Sequence, residues 1–448
     1  MICPPAADHA TLEHHAIDVR PLRSFILLTN APPTMQAKQH PRRFLIAGSY
    51  GIIDSRWMLT LCFLTALVCW LPSADADTPI TVATYNASLY GKAAGETADK
   101  LRGGEDKRGI AAAGIAQTVR PDVLLVNEID YDSQWTAPRL LATKYFSVGQ
   151  KSASGETMQP IEYPFVYSAA VNTGVASGLD INGDGDTVDP EDAFGYGRYP
   201  GQYGMAVFSR HPIDVESVRT FQEMLWKDFP QALKPVDPQT GKPFYSDKVW
   251  DGLRLSSKSH WDVPIRISAT THSSHGNTET PAASSGWTLH LLCSHPTPPA
   301  FDGPEDRNGA RNHDEIDFWN HYLGDADAAS ILDDAGTKGG LAPKSHFVVV
   351  GDLNSDPMRG ASRAGAIRRL LNHPRVANQS PAPVSDRGGS ATASFHPSVG
   401  NLRVDYAIPS KTLAIDRSGV FWPADKDAAA SMVRATDHRM VWVTVAPR

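Results

Sequence analysis

Cysteine is scarce in this chain. Four occur in 448 residues, and Cys3, Cys62 and Cys69 all precede residue 77, which leaves Cys293 alone in the remainder. A single thiol excludes a disulfide-stapled scaffold and a cysteine-ligated zinc centre in that remainder. A domain of this size can be stable from core burial without either. Excess charge is missing too. The formal net charge of −7 argues against a broad basic face that coats nucleic acid, although a local basic cleft survives such an average. The hydrophobic fraction of 41% supplies a substantial core, and nothing in the composition marks the chain as disordered.

An apolar run of comfortable membrane-spanning length is also lacking. Met58 to Leu71, MLTLCFLTALVCWL, is short for that purpose, and Ala74, Asp75 and Ala76 follow it in the small-x-small order of a cleavage site. Residues 58–76 therefore read as a secretory signal peptide, with the mature chain starting near Asp77 and a secreted or periplasmic destination. The competing readings are a membrane anchor, disfavoured by Pro72 and the short length, and a buried helix. Residues 1–57, Pro- and His-rich without clear periodicity, are expected to be a disordered extension or to precede a true start at Met58. Residues 77–448 form the expected domain.

What is present is a series of strands that end in polar residues. Phe347 to Pro357, FVVVGDLNSDP, starts as a buried strand, and Gly351 breaks it where Asp352 and Asn354 leave the sheet. Residues two apart in an extended segment point to one side, so a carboxylate and a carboxamide converge beyond the strand end. An ordinary Asx turn accounts for the same residues. Ile80 to Asn86 ends in the same way. Lys107 to Val119 reads as an Ala-rich helix stopped by Pro121, and Val123 to Val126 as a buried strand delivering Asn127 and Glu128. Trp287 to Cys293 leads to Ser294 and His295. Leu402 to Ile408 carries Asp405 inside a strand, and Asp437 with His438 precedes the strand Met440 to Val445. Repeated strand ends of this kind place the chemistry at the carboxyl ends of a sheet.

Three other stretches carry weight. Residues 130–203 are Gly-rich and loop-like, an insertion containing Asp180 to Glu191, DINGDGDTVDPE, which matches the calcium-loop template at every specified place. Asp180, Asn182, Asp184 and Glu191 are then side-chain ligands, Asp186 ligates through its carbonyl, and Gly185 makes the turn. An acidic solvated turn without metal is the alternative. Arg307 and Arg311 stand at the start of a helix over Ile316 to Leu323, where unpaired NH groups favour an anion. Surface pairing with Asp302, Glu305, Asp306 or Asp314 competes with substrate binding. The segment SSKSHWDVP, with Lys258 and His260, reads as a surface turn.

Taken in order, Asn86, Glu128, His295, the GDLN of Gly351 to Asn354, Asp405, and Asp437 with His438 resemble the pattern of the endonuclease/exonuclease/phosphatase superfamily, from Ile80 to Val445. The resemblance implies an α/β four-layer sandwich, two packed mixed β-sheets flanked by helices, as in pancreatic DNase. It also implies a metal-dependent phosphoester hydrolase. Asn86, Glu128 and Asp437 would hold magnesium or manganese, hard cations suited to oxygen donors. Asp352 would orient or deprotonate water, and Asn354 would hold a phosphoryl oxygen or that water. Asp405 would fix His438 in its charged form, and His295 would contact the phosphate or leaving oxygen. The expected enzyme is a monomer acting on a nucleic acid, a lipid head group or a small phosphate ester. Phosphodiester cleavage by direct attack of water is the first expectation. A phosphomonoesterase and a calcium-stabilised extracellular binding module are the alternatives.

Overall fold

The computed structural model describes residues 78–268, 286–324, 327–379 and 382–448. The expected extension and signal peptide lie outside the described residues. Among the described residues, no helix is long and apolar enough to cross a membrane.

Thirteen strands are assigned there. In chain order they are β1 (Ile80–Leu89), β2 (Val123–Ile129), β3 (Phe165–Tyr167), β4 (Met205–Ser209), β5 (Arg219–Thr220), β6 (His260–Ile267) and β7 (Trp287–Ser294). They continue with β8 (His346–Asp352), β9 (Ala393–Ser394), β10 (Asn401–Leu402), β11 (Asp405–Pro409), β12 (Leu413–Val420) and β13 (Val441–Pro447). One six-stranded sheet runs β12-β13-β1-β2-β4-β3, and a five-stranded sheet runs β11-β8-β7-β6-β5. Each is mixed, with parallel pairs β1/β2 and β7/β8 among antiparallel neighbours.

The period of two explains how the sheets stack. In β8, Val348 and Val350 enter the core between the sheets, while Phe347 and Val349 face the opposite way. Trp261, Val263, Ile265 and Ile267 of β6 line that central core with Leu289, Leu291 and Cys293 of β7. The outer face of the five-stranded sheet packs on Ile316, Phe318, Trp319 and Tyr322 of one helix and on Ile367 and Leu370 of another. These are α2 (Arg307–Leu323) and α3 (Gly365–Leu371). On the other sheet lies α1 (Lys107–Val119), whose Ile115 and alanines join the central cluster. Asp106 caps it by accepting from Arg108 N and Gly109 N, and Arg120 in the left-handed region ends it before Pro121. The result is the expected four-layer sandwich.

Three local expectations change. The SSKSHWDVP segment is no surface turn, because His260 starts β6 and pairs with Ser294 of β7. Phe165–Tyr167 adds β3 to the edge of the six-stranded sheet through β4, so part of residues 130–203 belongs to the frame. Leu402 to Ile408 is two strands, and Asp405 opens the second instead of lying within one.

Candidate active site

The strand ends bring Asn86, His295, Asp352, Asp405 and His438 to one rim. β1 and β2 run parallel with Asn86 level with Asn127, and the register then slips before Leu89 meets Ile129. Ser88 and Glu128 both take left-handed backbone at this slip. For a non-glycine residue that conformation costs about 1 kcal/mol or more, and it re-aims the Glu128 side chain at the strand end. In the other sheet β8 runs through Gly351 to Asp352, because only glycine fits there. A Cβ at Gly351 would stand 1.9 Å from the Ser294 carbonyl oxygen of β7, and its φ is 150°. That close approach sets His295 beside Asp352.

Asp352 Oδ2 is the hub. Asn86 Nδ2 donates to it at 3.1 Å, His295 Nε2 lies 3.4 Å away and His438 Nε2 3.6 Å away. The other oxygen, Oδ1, accepts from Asn354 N at 3.0 Å, while Asn354 Nδ2 donates to the Pro296 carbonyl at 3.1 Å. β11 pairs Asp405 directly opposite Asp352. Two carboxylates so placed repel, and His438 relieves this by standing between them, with Nδ1 3.0 Å from Asp405 Oδ2. Asp405 is anchored in turn, its backbone N donating to Thr392 Oγ1 at 2.9 Å.

Electrostatics follow from this packing. Burial opposes the charge on His438, but Asp405 and Asp352 outweigh it and raise the imidazole to about 10. Burial likewise opposes charge on Asp352, yet His438, His295 and the Asn86 hydrogen bond hold its carboxyl well below the usual range. Burial raises Asp405 to about 6, against the pull of His438. His295 is lowered, by burial first and then by Lys258, and is neutral at pH 7. Its Nδ1 is buried without a hydrogen-bond partner among the described residues.

Lys258, which the sequence places in a surface turn, is buried here instead. It is only 7% exposed, and its ammonium forms no hydrogen bond or ion pair among the described residues. Burial lowers it, while Glu315, Glu128 and Asp352 pull the other way. The β6/β7 register, with His260 opposite Ser294, carries Lys258 level with the residues just after His295, which is the signal that could have found it. Glu315 of α2 secures both flanks, accepting from Ser257 N at 2.6 Å, Ser257 Oγ at 2.8 Å and Thr297 N at 2.6 Å. His260 is structural, with Nδ1 2.7 Å from Ser256 Oγ and Nε2 2.7 Å from the Glu315 carbonyl.

The donors expected to hold a divalent cation suit one. Glu128 has no hydrogen bond or ion pair for its side chain among the described residues, and Asp437 is half-exposed with Oδ1 3.7 Å from His438 Nε2. The Tyr90 phenol is pushed up by burial, then by Glu128 and, less strongly, by Asp437, so both charges act on one neighbourhood. Oxygen donors of this kind favour magnesium or manganese. Asp352, Asp405 and His438 also cluster, with one ligand atom of each within 4.8 Å of the others, but the imidazole itself neutralises that pair.

The two arginines have other partners. Arg311 is buried, and its guanidinium donates to the carbonyls of Leu255, Phe194, Arg254 and Ser256. Arg307 pairs with Glu305 and lies over the Phe244 ring. Neither is brought to Asp352, because backbone carbonyls and a neighbouring carboxylate satisfy them first. In the DINGDG loop, Asp180 accepts from Gly183 N and Gly185 N, and Asp186 Oδ1 accepts from Thr187 N and Val188 N. Glu191 is exposed, whereas Asp184, Asp189 and Asp192 converge.

No curated protein sequence matches the chain. Among solved structures, an endonuclease/exonuclease/phosphatase from Beutenbergia cavernae is similar at 16% identity over 82% of this chain and 72% of that one, with a TM-score of 0.43. Sphingomyelinase C from Streptomyces griseocarneus is similar at 15% identity, covering 82% and 99% with a TM-score of 0.40. A mannosyl-6-phosphatase from Bacteroides thetaiotaomicron stands at 12% identity, 82% and 99% coverage and a TM-score of 0.41. The model of the Endonuclease/Exonuclease/phosphatase family matches residues 83–438, which include every residue around Asp352 described above. The chain belongs to the endonuclease/exonuclease/phosphatase family of phosphoester hydrolases.

Proposed function

We propose that this chain hydrolyses a phosphodiester by direct attack of water at the Asp352 rim, as an exported enzyme. The observation that carries the reading is the convergence of Asn86, His295 and His438 on Asp352 Oδ2, all between 3.1 and 3.6 Å. Phosphoryl transfer of this type needs a placed nucleophile and neutralised phosphoryl oxygens, and little covalent chemistry from the protein. Asn86, Glu128 and Asp437 are the residues to hold magnesium or manganese, and the chemistry such a cation supplies there is polarisation of the phosphoryl group and a lower pKa for bound water.

The side chains do the rest. Asp352, kept anionic, orients the attacking water as an acceptor. His295 faces the same space through Nε2, 3.4 Å from Asp352 Oδ2, and from there can contact the leaving oxygen. His438, charged and fixed by Asp405, stabilises the charge growing on the phosphoryl oxygens. Asn354 is held against Pro296 as a neutral donor that adds no repulsion. Diester cleavage is favoured over the monoester reading because a terminal phosphate calls for several cations around it, and the guanidiniums of Arg307 and Arg311 are committed elsewhere.

Export rests on the Met58 to Leu71 run and the small residues after it. Hydrolysis of bis-p-nitrophenyl phosphate and p-nitrophenyl phosphate, with and without magnesium, tests the activity. The diester is expected to turn over faster and only with metal. A rate ratio favouring the monoester overturns the diester reading, and no hydrolysis of either under varied metals favours the binding module.

A further inference from the structure

The DINGDG loop carries an observation that phosphoester hydrolysis does not use. Asp192 is 1% exposed, and its Oδ1 accepts from Ile181 N at 2.6 Å and Asn182 N at 3.4 Å. Its Oδ2 is buried without any hydrogen-bond partner among the described residues. A carboxylate oxygen in that state is an anion lacking a counter-charge, and buried anions are rarely left so. One carboxylate oxygen each of Asp184, Asp189 and Asp192 lies within 4.8 Å of the others. Asn182 Nδ2 donates into this group, to Asp184 Oδ2 at 3.1 Å and Asp189 Oδ2 at 3.2 Å. The side-chain amide thus stands where positive charge is wanted, while its Oδ1 accepts from Asp184 N at 3.0 Å and keeps a second lone pair for a cation.

We infer that this loop binds one calcium ion through Asp180, Asn182, Asp184, Asp189 and Asp192, with Asp192 in the role that the sequence template gives to Glu191. The shift has a local cause. Pro190–Asp192 is a short 3-10 turn capped by Asp189, whose Oδ1 accepts from Glu191 N and Asp192 N. Successive residues of such a turn point about a third of a revolution apart, so when Asp192 is turned inward Glu191 faces solvent. Calcium accepts about six to eight oxygens in loose geometry, which an irregular loop of carboxylates can supply. Magnesium demands a tighter octahedron.

The ion site also reaches the active-site rim through backbone hydrogen bonds. Ser177 N donates to the Asp192 carbonyl, Gly195 N to the Asn172 carbonyl at 3.1 Å, and Asn172 N to the Lys258 carbonyl at 2.9 Å. Gly195 packs so closely on this segment that a Cβ would stand 1.9 Å from the Ser257 carbonyl oxygen. Calcium at Asp192 therefore braces the strip that holds Lys258 in place.

The test uses the full chain stripped with EDTA and then titrated with calcium in millimolar magnesium, read by calorimetry and by thermal melting. One calcium per chain and a raised Tm are expected. Asp184→Asn and Asp192→Asn should each weaken calcium at least about tenfold, and Glu191→Gln should leave it within about twofold. Asp184 is exposed, so its variant decides the matter even if Asp192→Asn fails to fold. No calcium uptake by the parent chain overturns the site, and a loss in Glu191→Gln equal to that in Asp184→Asn overturns the ligand assignment. Amide hydrogen exchange on the same samples should slow at Asn172 and Gly195 when calcium binds, and unchanged exchange there overturns the brace. None of these readouts depends on catalysis, so failure here is distinct from failure of the hydrolase reading.

Discussion

His438 Nδ1 lies 3.0 Å from Asp405 Oδ2, and that single contact decides which face of the imidazole reaches the rim. With Nδ1 committed to Asp405, Nε2 is left toward Asp352. An amide at position 405 keeps the size but loses the charge that holds the imidazolium. Asp405→Asn is expected to lower kcat by about 100- to 10,000-fold, with a much smaller change in KM. Steady-state kinetics on bis-p-nitrophenyl phosphate, with circular dichroism to confirm folding, checks this. A kcat within threefold of the parent, about 0.7 kcal/mol, would show that Asp405 does not act through His438.

Lys258 has no hydrogen-bond or ion-pair partner among the described residues and feels the charges of Glu315, Glu128 and Asp352, and a contact with substrate phosphate is the role to test for it. A charge-assisted contact of that kind contributes about 1.5 to 3 kcal/mol, or roughly 10- to 100-fold. Lys258→Gln should reduce kcat/KM by that factor and weaken competitive inhibition by inorganic phosphate. If phosphate inhibits the variant as well as the parent, Lys258 does not touch the phosphoryl group.

Arg311 and Arg307 should differ in how much they support the fold and be alike in catalysis. Arg311→Met removes a donor from four carbonyls, of which that of Ser256 keeps Asn172 Nδ2, and should destabilise the fold by about 3 kcal/mol. Arg307→Ala leaves the buried Glu305 carboxylate with its Gly303 N bond alone and should cost about 1 to 2 kcal/mol. Neither should change the turnover of folded enzyme by more than about threefold. Urea denaturation and kinetics per active molecule measure both, and a large rise in KM for Arg307→Ala would return it to substrate binding.

His260 gives the fold a pH dependence whose sign is fixed by its environment. In the unfolded chain an imidazole takes a proton below about 6.5, whereas burial delays uptake in the fold to about 4. Between these values the unfolded state binds more protons, so stability is fully present above 6.5 and declines as pH falls toward 4. The whole shift corresponds to about 3 kcal/mol. The difference in unfolding free energy between parent and His260→Asn should therefore shrink as pH falls from 7 to 4. A constant difference would mean that His260 titrates alike in both states.

Much of the rim was legible because strands announce themselves. Asn86, Glu128, His295 and Asp352 each follow or close a run of apolar residues, and Gly351 marks a place where another backbone comes close. Lys258 and His260 were hidden by their neighbours, since small polar residues read as a surface turn until β7 and the Glu315 carboxylate of α2 close over them. Arg311 misled for a related reason. Its partners are carbonyls from segments far away in sequence, which no local pattern displays. Asp192 was passed over because the loop template counts positions, whereas burial is decided by the turn at Pro190.

The central claim is that Glu128 and Asp352 serve one metal-dependent centre. The most direct measurement is the rate of bis-p-nitrophenyl phosphate hydrolysis by EDTA-stripped protein, before and after magnesium or manganese is restored, for the parent, Glu128→Gln and Asp352→Asn. A silent stripped enzyme, full recovery of the parent on adding metal, and less than about one hundredth of that rate in either variant are expected. Hydrolysis that survives EDTA unchanged, or an Asp352→Asn enzyme as fast as the parent, would contradict it.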